Sequence, residues 1–174
     1  MSDFTEIGKI DLNADKKWNR LMQICFLAIA AIGTAVIFLL KIPQGSGISA
    51  GYIVLACFCY LIVHECIHIL AMKLFSKEPI RCKFHFPTVA VGCDFLFSKT
   101  QFVIVAAAPV ILLGSVISAF FFFLPQTCFL LLSVLLTMNF SGASGDYVLI
   151  FIALKAPGNA FFQDNSEITR IIKK

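Results

Sequence analysis

Long apolar runs separated by short charged segments dominate the chain. Residues 21–40 and 48–63 carry no charge, and the second run resumes after a brief polar interruption. Residues 100–145 contain no Lys, Arg, Asp or Glu, and a run of that length accommodates two spans with a natural break at Pro125. The pattern therefore predicts four membrane-spanning helices, at residues 18–41, 50–74, 100–124 and 127–154.

Composition and charge distribution agree with a membrane location. Hydrophobic residues make up 59% of the 174 residues and charged residues only 14%, whereas soluble domains average about 25% charged residues. Of the 14 Lys and Arg residues, 13 lie at or beyond the helix ends of a single side: four up to Arg20, five from Lys73 to Lys99 and four from Lys155 onward. The positive-inside rule then predicts a multi-pass protein of the cell membrane with both termini in the cytoplasm.

The predicted fold is an all-α membrane protein with four transmembrane helices. It forms a single integral membrane domain over residues 1–174, with a cytoplasmic N-terminal segment at 1–17 and a cytoplasmic tail at 155–174. Residues 82–97 are too short for a span and alternate in places as strands do. Two interpretations of this segment stay open, a short re-entrant segment resembling a β-hairpin and a cytoplasmic loop.

The second helix contains the sequence His64-Glu65-Cys66-Ile67-His68. Imidazoles at positions i and i+4 share one face of a helix and can bind one metal ion. Neutral imidazole suits zinc, and a catalytic zinc site has three protein ligands and a water whose pKa falls to about 7. Glu65 is predicted to be the general base for that water. A polar helix–helix contact is the alternative, although one central charge in a bilayer costs about 2.5–3.5 kcal/mol without partners.

A third metal ligand must come from another segment, and the candidates are Asp146, Asp94, Glu78 and His85. The two histidines lie about 9–15 Å before the cytoplasmic end of their helix by the helical rise, and Asp146 lies at a similar depth in the fourth helix. Asp146 is therefore the predicted ligand, with capping of a half-helix as its alternative role. Asp94 and His85 are expected to be solvated, although His85 could serve as an inhibitory ligand in a resting state.

Asn139 is a polar residue in an apolar run, within two helical turns of Asp146. Its amide is predicted to hydrogen-bond a substrate carbonyl or a developing oxyanion. An interhelical hydrogen bond is an equally good interpretation.

Three features of the chain carry a resemblance to a known family: His64-Glu65-x-x-His68 in one helix, Ala108-Pro109 in the next, and the stretch from Asn139 to Asp146 in the last. With them the chain resembles small bacterial membrane proteins described as "putative zincin peptidases", formerly a domain of unknown function. It is more distantly similar to site-2 intramembrane metalloproteases, whose corresponding helix has an Asn and a ligand Asp. The chain departs from those enzymes by lacking their Asn-Pro-Asp-Gly style motif and a PDZ-like domain.

The predicted function is that of a zinc metalloendopeptidase with one catalytic zinc ion. It would hydrolyse peptide bonds in or near membrane-embedded proteins or peptides, with Glu65 activating a zinc-bound water. The lipid bilayer is the other expected partner, and no nucleic-acid partner is expected. The alternative is a non-catalytic zinc-binding scaffold, chaperone or transporter component. An intact Glu65 favours the enzyme, because a structural site has no need of a general base.

Overall fold

The computed structural model of the chain describes residues 5–42, 49–85 and 88–174, and only the backbone of residues 84, 85, 88 and 89. Within this part of the chain, four helices are long and apolar enough to cross a membrane. They are α1 (Lys16–Leu39), α2 (Ala50–Phe75), α3 (Lys99–Phe123) and the composite span Gln126–Lys155. The predicted number of spans is thereby confirmed, and the architecture is consistent with a multi-pass membrane protein.

The fourth span consists of three pieces. A 3₁₀ turn at Gln126–Cys128 leads into α4 (Phe129–Gly142), and α5 (Ser144–Lys155) follows after a break at Ala143. Ala143 has φ −79° and ψ 15°, outside the α-helical range. The break creates a helix N-terminus inside the span, and backbone N–H groups there lack intrahelical partners.

The described residues also form a five-stranded antiparallel sheet, so the expectation of an all-α protein was wrong. The strands are β1 (Thr5–Ile10), β2 (Arg81–His85), β3 (Thr88–Ser98), β4 (Ala160–Asp164) and β5 (Thr169–Lys173), in the spatial order β1-β5-β4-β3-β2. The segment 82–97 falls in the β2–β3 hairpin, and its re-entrant depth stays a prediction. The sequence pattern predicts no strand in the two terminal segments. The strand β1 pairs with β5, which is far away in the sequence, so no local pattern marks it.

Contacts between residues divide the chain into two compact units. The first comprises Met1–Met22, Glu65–Ala108 and Gly145–Lys174, and the second comprises Gln23–His64 and Pro109–Ser144. The boundaries between the units fall within α1, α2, α3 and α5.

The core of the first unit lies between the sheet and the helix segments of that unit. Phe97 of β3 and Phe162 of β4 are fully buried there, and the ring of Phe162 stacks on Phe102 of α3 with centroids 4.8 Å apart. Met72 of α2 and Ala153 of α5 belong to the same cluster. The sheet thus holds the ends of three helices in fixed positions.

Polar contacts fix the start of α3 in the same unit. The backbone N–H of Ser98 donates to Gln101 Oε1 at 2.9 Å, and Ser98 Oγ accepts from the N–H of Gln101 at 3.4 Å, which makes a capping box. Lys99 Nζ donates to the carbonyl oxygens of Leu154 (2.8 Å) and Ala156 (3.0 Å), at the C-terminal end of α5. A cation is favourable there because helix C-termini carry partial negative charge.

The core of the second unit is formed by Tyr60, Ile117 and Leu132. Outside the two cores, the helices present large apolar side chains on their surfaces: Leu39 is 79% exposed, Leu74 80% and Phe122 86%. Soluble monomers rarely expose apolar surface on this scale. Such surfaces are consistent with helices that contact lipid.

Candidate metal centre

His68 is buried on α2, and both of its ring nitrogens have neighbours in the first unit. Its Nε2 lies 3.4 Å from Asp146 Oδ1 of α5. Its Nδ1 lies 3.0 Å from the main-chain carbonyl oxygen of Val105 on α3. Because a carbonyl oxygen only accepts, Nδ1 carries a proton, and in the neutral imidazole Nε2 then holds the lone pair that a metal ion requires.

His64 is also buried and lies one turn earlier on the same helix. His64, His68 and Asp146 each offer one ligand atom, and these atoms all lie within 4.8 Å of one another. Zinc bonds of about 2.0–2.2 Å in tetrahedral geometry separate ligand atoms by roughly 3.3–3.6 Å. The 3.4 Å separation between His68 and Asp146 matches that spacing. Two imidazoles and one carboxylate are also a known donor set of catalytic zinc sites, so these residues fit a zinc ion.

Asp146 reaches this group because α5 begins immediately before it. It is the third residue of α5, inside the first turn of that helix. The partial positive charge at a helix N-terminus favours an ionised carboxylate in the first turn. The break at Ala143 therefore places this carboxylate in the first turn of a helix, where its ionised form is favoured.

Glu65 follows His64 directly on α2 and is half-buried. Its carboxylate lies close enough to His68 to act on that imidazole electrostatically. On a helical wheel Glu65 stands about 60° from His68, so its carboxylate flanks the face that carries the two imidazoles.

Asn139 lies on α4 in the second unit and is fully buried. Its Nδ2 donates to the carbonyl oxygen of Val110 on α3 at 3.0 Å, and its Oδ1 accepts from the hydroxyl of Tyr60 at 2.9 Å. The interhelical hydrogen bond that was one interpretation of Asn139 is present. Its predicted role toward a substrate carbonyl or oxyanion stays a prediction.

The other candidate third ligands lie elsewhere. Asp94 forms an ion pair with Arg81, and both side chains are largely exposed. Glu78 is exposed on the segment after α2. Neither belongs to the three-residue group. The side chain of His85 lies outside the described part of the structure, and so does the prediction of an inhibitory role for it.

Two residues near the histidines were missed in the sequence. Tyr60 hydroxyl lies 3.1 Å from Nδ1 of His64, one turn away on α2. Asp164, at the end of β4, accepts hydrogen bonds from the backbone N–H of Ser166 (3.0 Å) and from Thr169 Oγ1 (3.2 Å). The spacing of Tyr60, four residues before His64, was a usable signal because i and i+4 share a face. Asp164 had no such signal.

Burial raises the pKa of Asp164 from its ordinary value to about 6. The hydrogen bonds from Ser166 and Thr169 act in the opposite direction, because they favour the ionised form. Electrostatic interaction with His68 lowers the pKa of Asp164 and that with Asp146 raises it, so the end of β4 is electrostatically linked to both residues.

The described residues thus combine four helices long and apolar enough to cross a membrane with a His-His-Asp group that could hold a metal ion. Residues 57–161 match the family described as "Putative zincin peptidase", and the chain belongs to that family. The matched region contains all three residues of the candidate site as well as Glu65 and Asn139. No curated protein and no solved structure is significantly similar to the chain.

Proposed function

We propose that the chain is a zinc-dependent peptidase that hydrolyses peptide bonds of substrates in or near the membrane. The observation that carries the proposal is the convergence of His64, His68 and Asp146 beside Glu65. Membership in a zincin peptidase family supports the same chemistry. The location of the donors within apolar helices supports action at membrane depth.

In the proposed mechanism, the two imidazoles and the carboxylate hold one zinc ion. When bound, zinc supplies Lewis-acid chemistry, since it polarises a carbonyl and lowers the pKa of water to about 7. Glu65 accepts the proton of the attacking water and then delivers it to the leaving amine. Glu65 and His64 are neighbours along α2, so this base lies on the same helical turn as one of the ligands.

Substrate recognition is proposed at β2, which is an outer strand of the five-stranded sheet. An extended peptide can pair with an edge strand through main-chain hydrogen bonds. Such pairing would hold a segment whose own helical hydrogen bonds have been broken, and a helical substrate must lose them before its carbonyl can be attacked.

The test is a comparison of new protein N-termini in membranes of cells that express wild-type protein or Glu65→Gln. Chemical labelling of N-termini followed by mass spectrometry detects cleavage of any membrane protein, whichever one is the substrate. We expect N-termini that depend on the wild-type protein and disappear with Glu65→Gln, while elemental analysis shows that the purified variant retains zinc. Glu78→Gln is the matched control, because this exposed carboxylate lies outside the site.

Two results would count against the proposal. Identical N-termini with wild type and Glu65→Gln would remove Glu65 from the mechanism. Stoichiometric zinc without any dependent cleavage would favour the non-catalytic scaffold, chaperone or transporter component instead.

A further inference from the structure

His64 is held by a chain of hydrogen bonds within the second unit that the mechanism above does not use. The Tyr60 hydroxyl lies 3.1 Å from Nδ1 of His64 and 2.9 Å from Oδ1 of Asn139. Asn139 Nδ2 in turn lies 3.0 Å from the carbonyl oxygen of Val110. The direction of each hydrogen bond follows from the carbonyl oxygen of Val110, at which the series ends.

The carbonyl of Val110 can only accept a hydrogen bond, so the amide group of Asn139 must present its NH₂ there. Its carbonyl oxygen then faces Tyr60 and must receive a donor. Asn139 is fully buried, so water does not supply that donor at its surface. The Tyr60 hydroxyl is the group at hydrogen-bond distance, and it donates.

A phenol has one proton, and that of Tyr60 is committed to Asn139. The hydroxyl oxygen therefore accepts from the other neighbour, which requires a proton on Nδ1 of His64. In the neutral imidazole this proton position puts the lone pair on Nε2. That is the form in which an imidazole binds a metal through Nε2.

We propose that Tyr60 and Asn139 are positioning residues that hold His64 in the Nδ1–H tautomer and orient its Nε2 for a metal ion. This inference rests on the proposed function only in naming zinc as the ion. Groups that orient metal-ligating histidines typically contribute about 10–100-fold to metal affinity. Gly114 of α3 leaves room for the arrangement, because a Cβ there would meet Asn139 Nδ2 at 2.9 Å.

The inference predicts different effects for the two residues. Tyr60→Phe removes the acceptor of the Nδ1 proton. His64 should then lose its preference for the Nδ1–H tautomer and populate both tautomers. Asn139→Leu removes the acceptor of the phenolic proton, so the Tyr60 hydroxyl can donate to Nδ1 and reverse the tautomer to Nε2–H. The double variant lacks the hydroxyl and should behave like Tyr60→Phe alone.

The tautomers are measured by ¹⁵N NMR of metal-free protein labelled at histidine, at alkaline pH. The chain has three histidines, so His85→Gln and His68→Gln assign the signals. Zinc affinity is measured separately by competition with a chromogenic chelator, and cobalt absorption spectra report the geometry of the loaded site. Tyr52→Phe, at an exposed position of the same helix, is the matched control.

We expect a single Nδ1–H signal for His64 in the wild type and in Tyr52→Phe. Zinc affinity should fall at least tenfold in Tyr60→Phe, further in Asn139→Leu, and return to the Tyr60→Phe level in the double variant. A loss of packing alone would make the double variant the weakest binder. An unchanged tautomer and zinc affinity in Tyr60→Phe would overturn the inference and leave the proposed function intact.

The proposed function has a separate point of failure in the same experiment. If wild type shows the Nδ1–H tautomer but binds no zinc, the hydrogen-bond chain is supported and the metallopeptidase proposal is contradicted. Circular dichroism identifies any variant that does not fold. If Asn139→Leu does not fold, the inference is tested by Tyr60→Phe, which removes only one oxygen atom.

Discussion

The Nδ1 atom of His68 lies 3.0 Å from the main-chain carbonyl oxygen of Val105, although Val105 is in the interior of helix α3. In an α-helix that oxygen would accept the N–H four residues later. Position 109 is proline, which has no N–H. Pro109 therefore leaves the carbonyl of Val105 available for the imidazole.

Pro109→Ala should weaken zinc binding. Alanine restores an N–H that competes with His68 for the carbonyl of Val105, and loss of an orienting hydrogen bond to a metal ligand costs about tenfold or more in affinity. Chelator competition with purified protein measures the effect. Leu112→Ala, at an exposed position of the same helix, should bind zinc as wild type does. Equal affinities for both variants would show that the freed carbonyl has no part in the site.

Asp146→Ala and His68→Ala should each abolish stoichiometric zinc, because a catalytic site with two remaining ligands holds the ion weakly. Elemental analysis of purified protein gives the zinc content. Asp94→Ala removes a carboxylate that is paired with Arg81 outside the site, and we expect it to retain zinc. Full zinc occupancy in Asp146→Ala would require a different third ligand.

Asp164→Asn should change how stability depends on pH. The pKa of Asp164 is about 6 in the folded protein, against about 3.9 for an unperturbed aspartate. Between these values the folded state binds more protons than the unfolded state, so the contribution of this group to stability is full below about pH 4 and is lost as the pH rises to about 6. Asparagine removes that dependence.

The melting temperature of Asp164→Asn minus that of wild type should therefore increase from about pH 4 to about pH 6 and then stay constant. Taking the difference cancels the titration of carboxylates that both proteins share. A difference that is flat over this range, or that decreases, would contradict the raised pKa of Asp164.

Gly92→Ala should destabilise the protein. A Cβ at this position of β3 would meet three backbone atoms at the end of β4 and directly after it: Ser166 N at 2.2 Å, Asp164 O at 2.6 Å and Asn165 C at 2.7 Å. Backbone atoms cannot rotate away, and overpacking of this kind typically costs about 1–3 kcal/mol. Thermal unfolding in detergent measures the loss.

Gly142→Ala is the control for that substitution, because a Cβ there meets no atom within 4 Å. Alanine is favoured over glycine in helices by up to about 1 kcal/mol, so this variant should be neutral or more stable. Equal melting temperatures for the two variants would mean that the segment after β4 does not pack against Gly92 as described.

The four spans could be read from the sequence because a bilayer imposes a length and an apolar composition on each helix. The sheet could not be read in the same way. Thr5 of β1 pairs with Lys173 of β5, so the partners lie at opposite ends of the chain. Strand propensity depends strongly on the neighbours that a strand finds, and five or six residues carry little information about them. An apolar helix, by contrast, needs no particular partner to be recognised.

The grouping of His64, His68 and Asp146 was accessible because a helical spacing and a depth in the bilayer are both properties of one chain segment at a time. The hydrogen bonds around these residues depend on several segments at once and could not be predicted in this way. Tyr60 lies in an uncharged run, where the sequence does not distinguish a phenol that hydrogen-bonds from a large side chain that only packs. The role of Asn139 depends on a carbonyl of a different helix, and only the packing of helices brings the two together.

Pairing between the first and last strands has a consequence for membrane insertion. With the four apolar helices in a bilayer, hydrogen bonds between β1 and β5 would require these two strands to lie on one face of it. An even number of crossings between the strands meets that requirement. An odd number would put about 30 Å of hydrocarbon between them, and they could not pair.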